Sequence, residues 1–335
     1  MKKTLRSILV LALVASPSFS AFAAEAKRVI VCTVTTGFRH SSIPYAEKTL
    51  QKLADESKAY TIVDFARQPE VQIPSKPKKP GDLKADADDK AKAKYEAEMV
   101  KYNEALAKWT PEMDQKQKDA QAQWDTQLKA SMEKLSPANL KAQKIDAVIF
   151  ANTTGDKYPL PDKDGFIKWV EEGGAFIGMH SASDTFNNWE GYYGMLQGTF
   201  NGHGAQVPAD LIAADTKHPA NAGIGEKWDL KMEEMYLIKN HDRAKNREIW
   251  YMNHHPNKTE EAGFFPVSWA RKHGKGNVFY TSLGHREDLW SDDPEMKDRK
   301  NSVETSKQFQ AHILGGIKWA LGLAPGDVTP NPEVK

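Results

Sequence analysis

The sequence predicts an α/β protein, a parallel sheet flanked by helices, on three observations. First, a β-branched run from Arg28 to Thr35 (RVIVCTVT) is followed by a helical stretch, Ile43 to Ser57, and a second strand-like run, Tyr60 to Phe65 (YTIVDF). Strand, helix, strand in that order is the βαβ unit, whose crossover is right-handed. Second, Asp146 to Phe150 and Ala175 to Met179 are apolar without alternation, as expected of strands buried on both faces. Third, each of these runs closes on polar residues, and open α/β sheets bind ligands beyond the carboxyl ends of their strands.

The chain has 335 residues, enough for one large or two modest domains. Residues 1–23 read as a secretory leader: Lys2, Lys3 and Arg6 make the charged region, Ile8 to Val14 the apolar one, and Ala21-Phe22-Ala23 the small-residue cleavage site. The apolar stretch is too short for a permanent membrane span. The expected location is periplasmic or secreted, with no membrane association after cleavage. The net charge is +1, and it turns slightly negative without the leader, so no electrostatic footprint for nucleic acid or an anionic membrane is present. A lone cysteine, Cys32, rules out an internal disulfide and reads as a small buried hydrophobe.

After the second strand the composition changes. Residues 68–142 form a Pro- and Lys-rich linker followed by two Ala/Lys/Glu/Gln-rich helical stretches, Asp82 to Trp109 and Glu112 to Leu135, broken at Thr110-Pro111. Tyr95, Met99, Tyr102, Leu106 and Trp109 recur at helical steps, as do Trp124, Leu128 and Met132. The expectation is a helical hairpin inserted between two strands, its stripes packing on itself or the core; a surface at 82–135 for a second copy or a protein partner is the alternative. The main domain then occupies 27–323 and a Pro-rich tail 324–335.

Beyond the third strand, an amphipathic helix, Asp164 to Glu172, stops at Gly173-Gly174 and leads into the Ala175 strand. Phe186 to His203 reads as an aromatic, glycine-rich loop lining a pocket. Ala209 to Ala213, Trp228 to Ile238 and Arg247 to Met252 are strand-like. Pro266 to Arg271 and Gly276 to Ser282 pair through a hairpin at Lys272–Lys275, and Val303 to Leu321 is the closing helix.

In this order stand Gly37-Phe38-Arg39-His40, Gly173 to Ala182 (GGAFIGMHSA), Phe200 with His203, His218-Pro219, Glu233-Glu234-Met235-Tyr236, Pro266-Val267-Ser268-Trp269 and Gly274 to His285 (GKGNVFYTSLGH). The set resembles the ThuA-like family, named after a trehalose-utilisation protein, over most of the chain beyond the leader. The resemblance implies a flavodoxin-like, class I glutamine-amidotransferase-like fold and a role in carbohydrate utilisation, on disaccharides or their 3-keto derivatives. The 68–142 insertion is outside the family's usual core. Where a true amidotransferase carries Gly-x-Cys-x-Gly, this chain reads Gly178-Met179-His180-Ser181-Ala182, so thiolate amide hydrolysis is excluded.

His40, His180, His203 and His285 each fall at a strand end or in the pocket loop, and the doubly wound fold converges such positions on one crevice. They are the expected ligands of a divalent metal such as zinc; no short-range metal motif links them, so that expectation rests on the fold. His180, Glu234 and Asp184 are the expected acid/base groups. Arg39, Ser181, Trp189, Tyr192, Phe200 and Arg286 are the expected substrate contacts, the aromatic members also serving packing. His254 and His255 would point opposite ways on a strand, and His218, His241, His273 and His312 read as turn, surface or helix positions. No nucleotide cofactor is expected. The reading is an exported hydrolase or lyase acting on a sugar or keto-glycoside. A non-catalytic carbohydrate-binding module and a scaffold acting through the hairpin are the alternatives.

Overall fold

The computed structural model describes residues 26–334; the expected leader, residues 1–23, lies outside the described residues. Strand β1 (Lys27–Cys32) runs into helix α1 (Ile43–Ser57) and β2 (Tyr60–Ala66). The inserted hairpin is α2 (Asp89–Ala107) and α3 (Pro111–Glu133), after which α4 (Pro137–Ala142) returns the chain to β3 (Ala147–Ala151). Next come α5 (Lys163–Glu171), β4 (Ala175–Met179), a 3-10 turn over His180–Asp184, and α6 (Glu190–Leu196). The strands β5 (Thr199–His203), β6 (Val207–Ala213), β7 (Lys227–Glu233), β8 (Tyr236–Lys239), β9 (Arg247–His255), β10 (Lys258–His273) and β11 (Gly276–Thr281) follow. Two helices, α7 (Glu287–Trp290) and α8 (Val303–Ala320), complete the order.

Nine strands form one sheet in the order β2-β1-β3-β4-β11-β10-β9-β6-β7, while β5 and β8 pair separately. The β2-to-β11 half is parallel and the remainder antiparallel. The sheet is therefore mixed, and the expected parallel sheet is the half that runs from the β2 edge to β11. From β1 the chain steps to β2 on one side and returns to β3 on the other, which makes the end of β1 a topological switch point.

Alternation along β1 supplies two cores. Val29 and Val31 face a layer with Leu50 of α1 and Phe309, Ile313 and Ile317 of α8. Ile30 and Cys32 face the opposite layer with Phe166 of α5 and Leu140 of α4. Cys32 is fully buried, and burial pushes its thiol up to about 12, so it is an inert core residue.

The segment 186–203 is not the expected loop. It holds α6, which turns Tyr192 and Met195 into the core, and β5. Aromatic density there reflects packing, the commoner reason for such density. The hairpin forms, its helices capped by Asp88 on the Ala91 N–H and Thr110 on the Met113 N–H. Its stripe is only half-covered: α2 has no buried residue, and α3 buries Leu128 and Met132 at its sheet-proximal end. Among the described residues no helix is long and apolar enough to cross a membrane.

Candidate metal and acid/base site

The parallel strands deliver three imidazoles and β7 a carboxylate to one point. His40 follows β1, His180 begins the turn after β4, His285 follows β11 and Glu234 follows β7. One donor atom from each lies within 4.8 Å of the others. His180 stands at the centre of the sharp strand-to-turn bend with φ +49°, a left-handed conformation that a non-glycine residue holds only at a cost of about 1 kcal/mol or more.

His180 is fully buried and oriented at both nitrogens. Its Nδ1–H donates to the Ser282 carbonyl at 2.7 Å, so Nε2 carries a lone pair toward the cluster. Tyr236 Oη donates to that Nε2 at 2.9 Å, and His40 Nε2 stands 3.2 Å away. Two imidazole nitrogens this close need a positive bridge between them, either a proton on one or a cation shared by both. Ser181 Oγ sits 3.3 Å from His40 Nδ1 and steadies that ring from behind. Burial holds His40 down to about 4 and keeps His180 well below the ordinary imidazole range, so both are neutral near pH 7.

Glu234 Oε2 lies 3.1 Å from His285 Nδ1 and 3.8 Å from His180 Nε2. Gln206 Nε2 donates to His285 Nε2 at 2.8 Å, which leaves the ring proton on Nδ1, facing the Glu234 carboxylate. Burial pulls the His285 pKa down, but the hydrogen bond that its N–H donates to Glu234 and the charges of Glu233, Glu234 and Glu287 outweigh it and leave it raised. Three imidazoles and one carboxylate are a donor set that suits zinc or a similar divalent ion.

The neighbouring carboxylate, Glu233, does different work. Fully buried, it accepts the backbone N–H groups of Gly284, His285 and Arg286 at 3.0, 2.7 and 3.3 Å, which fixes the loop that presents His285. Burial pushes its pKa up to about 7 against the pull of His285 and those three donors. Gly284 has φ +124°, a conformation only glycine takes freely, and its carbonyl accepts from Ser42 Oγ, Asn152 Nδ2 and Trp290 Nε1.

The other expected site residues divide. His203 is not one of the four convergent groups; half-exposed at the rim, it contacts the second oxygen of Glu234 at 3.0 Å. Phe200 packs against Tyr236 with centroids 4.5 Å apart, beside the site. Asp184 stands apart, accepting from Asn187 at 2.9 Å, with its pKa raised by burial. One expected substrate contact, Tyr192, is corrected, and two others, Trp189 and Arg286, already have protein partners. Tyr192 is a core residue whose hydroxyl donates to the Ala182 carbonyl at 2.8 Å. Trp189 packs on Phe186 and Tyr192. Arg286 has its fork committed to Asp288, Gln206 and the Asp298 carbonyl, leaving little for a ligand. Arg39 faces away from the four groups, donating to the Thr33 carbonyl and to Gln68 at 3.1 Å.

Sequence reasoning missed Tyr236 and Glu233 as working groups. Both lie in the Glu-Glu-Met-Tyr segment that carries the resemblance, which was the available signal. His218 and His312, expected at a turn and on a helix, are both buried, and His241 is enclosed against buried Glu248 at 2.7 Å.

The ThuA family profile, described as trehalose utilisation, matches residues 28–320. The chain is a member of the ThuA family. Two solved structures share the fold: a ThuA-like protein from Parabacteroides merdae (16% identity, TM-score 0.56, covering 90% of this chain and 93% of the other) and one from Bacteroides uniformis (15%, 0.52, 96% and 100%). No curated protein matches the sequence. Family membership carries a role in carbohydrate utilisation.

Proposed function

We propose that this chain is an exported enzyme of carbohydrate utilisation, a hydrolase or lyase acting on a sugar or 3-keto-glycoside. His40, His180, His285 and Glu234 would hold a divalent ion at its centre. The observation that carries the reading is the meeting of two burial-neutralised imidazoles, a third imidazole facing a carboxylate, and that carboxylate within 4.8 Å. A bound ion would supply Lewis acidity toward a carbonyl or hydroxyl oxygen.

The chain's own groups would manage the protons. Burial first, and the charge of Glu234 second, hold the Tyr236 phenol protonated. Its O–H, now resting on His180 Nε2, is free to turn to a substrate oxygen when that nitrogen is otherwise engaged. Glu234 can take a proton from substrate, with His203 on its outer oxygen passing it to solvent. The aromatic pair Phe200 and Tyr236 offers an apolar wall beside these groups.

The test is metal content and turnover of the mature protein, purified without a His tag and supplemented with zinc, for wild type and His180→Ala. Stoichiometric metal and product from a keto-glycoside, both lost in the variant, are expected. No bound metal in the wild type would sink the metal-site reading, and saturable sugar binding without product would favour a binding module. Amino-terminal sequencing of the protein made in a bacterial host tests cleavage after residue 23 or 24.

A further inference from the structure

The insertion, the part of the chain that the family resemblance does not cover, forms one wall of a cleft of about 790 Å³. Trp124, Gln121 and Asp125 of α3 line one side, and Gln68 with Thr36 and Gly37 of the loop after β1 line the other. That same loop continues through Phe38 to His40, a member of the candidate site. Phe38 is 68% exposed, the most exposed of the large hydrophobic side chains among the described residues, and its ring packs edge-on against His40 with centroids 4.9 Å apart. The exposure is not slack in the chain. Thr154 Oγ1 donates to the Phe38 carbonyl at 2.6 Å, and the Thr36 and Gly37 N–H groups donate to the Thr154 carbonyl at 2.8 and 3.3 Å. A rigid backbone that holds an aromatic ring in water, between a cleft and a polar site, is placed to receive a ligand.

We infer that this path is an extended carbohydrate-binding track: the reacting ring at the His/Glu centre, Phe38 as the next stacking surface, and further sugar units in the cleft against Trp124. The inference deepens the reading above and rests on it. A volume within the roughly 300–1,000 Å³ of small-ligand sites suits one or two sugar units. The wall chemistry favours a neutral polyol: one indole for a ring face, two amides and a carboxylate for hydroxyls. The side chains of Gln121 and Asp125 hold each other through a 2.8 Å hydrogen bond and so present a fixed acceptor and donor. The exposed ammonium groups of Lys129 and Lys157 stand against the one carboxylate of Asp125, so the lining carries charges of both signs with an excess of one positive charge. The insertion thus sets how long a glycan the protein prefers.

The test is calorimetric titration of the full mature protein with two series, glucose to cellotetraose and glucose to maltotetraose. Comparison is among wild type, Phe38→Ala, Trp124→Ala and the double variant Gln121→Ala/Asp125→Ala. In one series, affinity is expected to rise tenfold or more from mono- to tetrasaccharide. That gain should vanish in the α3 variants while glucose affinity stays within twofold, and Phe38→Ala should weaken every member from the disaccharide upward. The double variant changes exposed positions only and stands in if Trp124→Ala fails to fold. Binding independent of chain length, or α3 variants that retain the full gain, overturns the track while the His/Glu reading survives. No saccharide binding in either series, with or without added zinc, overturns both.

Discussion

Two sets of buried histidines in this molecule have the same burial and opposite uses. His40 and His180 meet at the strand ends; His218 and His312 lie beneath Trp319 and Trp228. Burial holds His40, His218 and His312 alike down to about 4. The difference is where the ring nitrogens go. In the second pair one residue, Ala220, pairs one nitrogen of each ring: its N–H donates to His218 Nδ1 at 3.1 Å, and its carbonyl accepts from His312 Nδ1 at 2.6 Å. The rings therefore take complementary tautomers and serve to lock the His218-Pro219 turn onto α8. In the first set the lone pairs of separate strands converge with a carboxylate. A depressed imidazole pKa reports burial; convergence of donor atoms is what marks a site.

The comparison can be broken most sharply at Tyr236. Tyr236→Phe removes the hydroxyl on His180 Nε2 and nothing else, so turnover should fall by about 10²–10⁴-fold, the usual worth of a general acid or base. Zinc affinity, read by competition with a chelating dye, should change by less than threefold. Equal turnover in the variant would remove Tyr236 from the chemistry. Next, His40→Ala or His285→Ala should weaken zinc binding by about 100-fold or more, while His312→Asn leaves it unchanged. A His312→Asn protein that lost zinc would abolish the distinction drawn here.

Glu233→Gln is a smaller perturbation. It keeps the shape and weakens the three backbone hydrogen bonds that hold the His285 loop, so zinc affinity should drop by about tenfold, as for other supports behind a ligand. The mildest effect is on stability against pH. His312 binds protons in the unfolded chain below about pH 6.5 and in the fold only below about 4. Unfolding free energy should therefore decline as pH falls from about 6.5 to about 4, by about 1.4 kcal/mol per unit for each such histidine. Urea titrations at pH 7, 6 and 5 should give a slope one proton shallower in His312→Asn; an unchanged slope would mean that ring titrates normally in the fold.

Much of this was legible in the sequence wherever the signal was local. The βαβ start, the Gly173-Gly174 helix stop and the ends of α1 and β4 follow from periodicity and capping, and Gly173 indeed takes φ +128°. The antiparallel half of the sheet was partly hidden, since the partners of β9, β6 and β7 are chosen by tertiary packing and not by neighbouring residues. The aromatic segment 186–203 misled because indole and phenol rings suit a pocket and a core equally; only burial separates Tyr192, inside, from Phe38, outside. Three of the four convergent side chains had been expected as ligands from strand-end position alone, and Glu234 as an acid/base group. Tyr236 was overlooked because a tyrosine two residues beyond a glutamate carries no spacing rule of its own.

His40 follows the first strand and His285 the last, so the candidate centre joins the two ends of the folded chain. A growing or truncated polypeptide that lacks β11 holds only part of it. Any opening that parts β1 from β11 dissolves the whole. An ion held there would consequently bind the completed fold and not its fragments, and its occupancy would act as a record of the entire domain having folded, shifting global unfolding and leaving local fraying of α2 untouched.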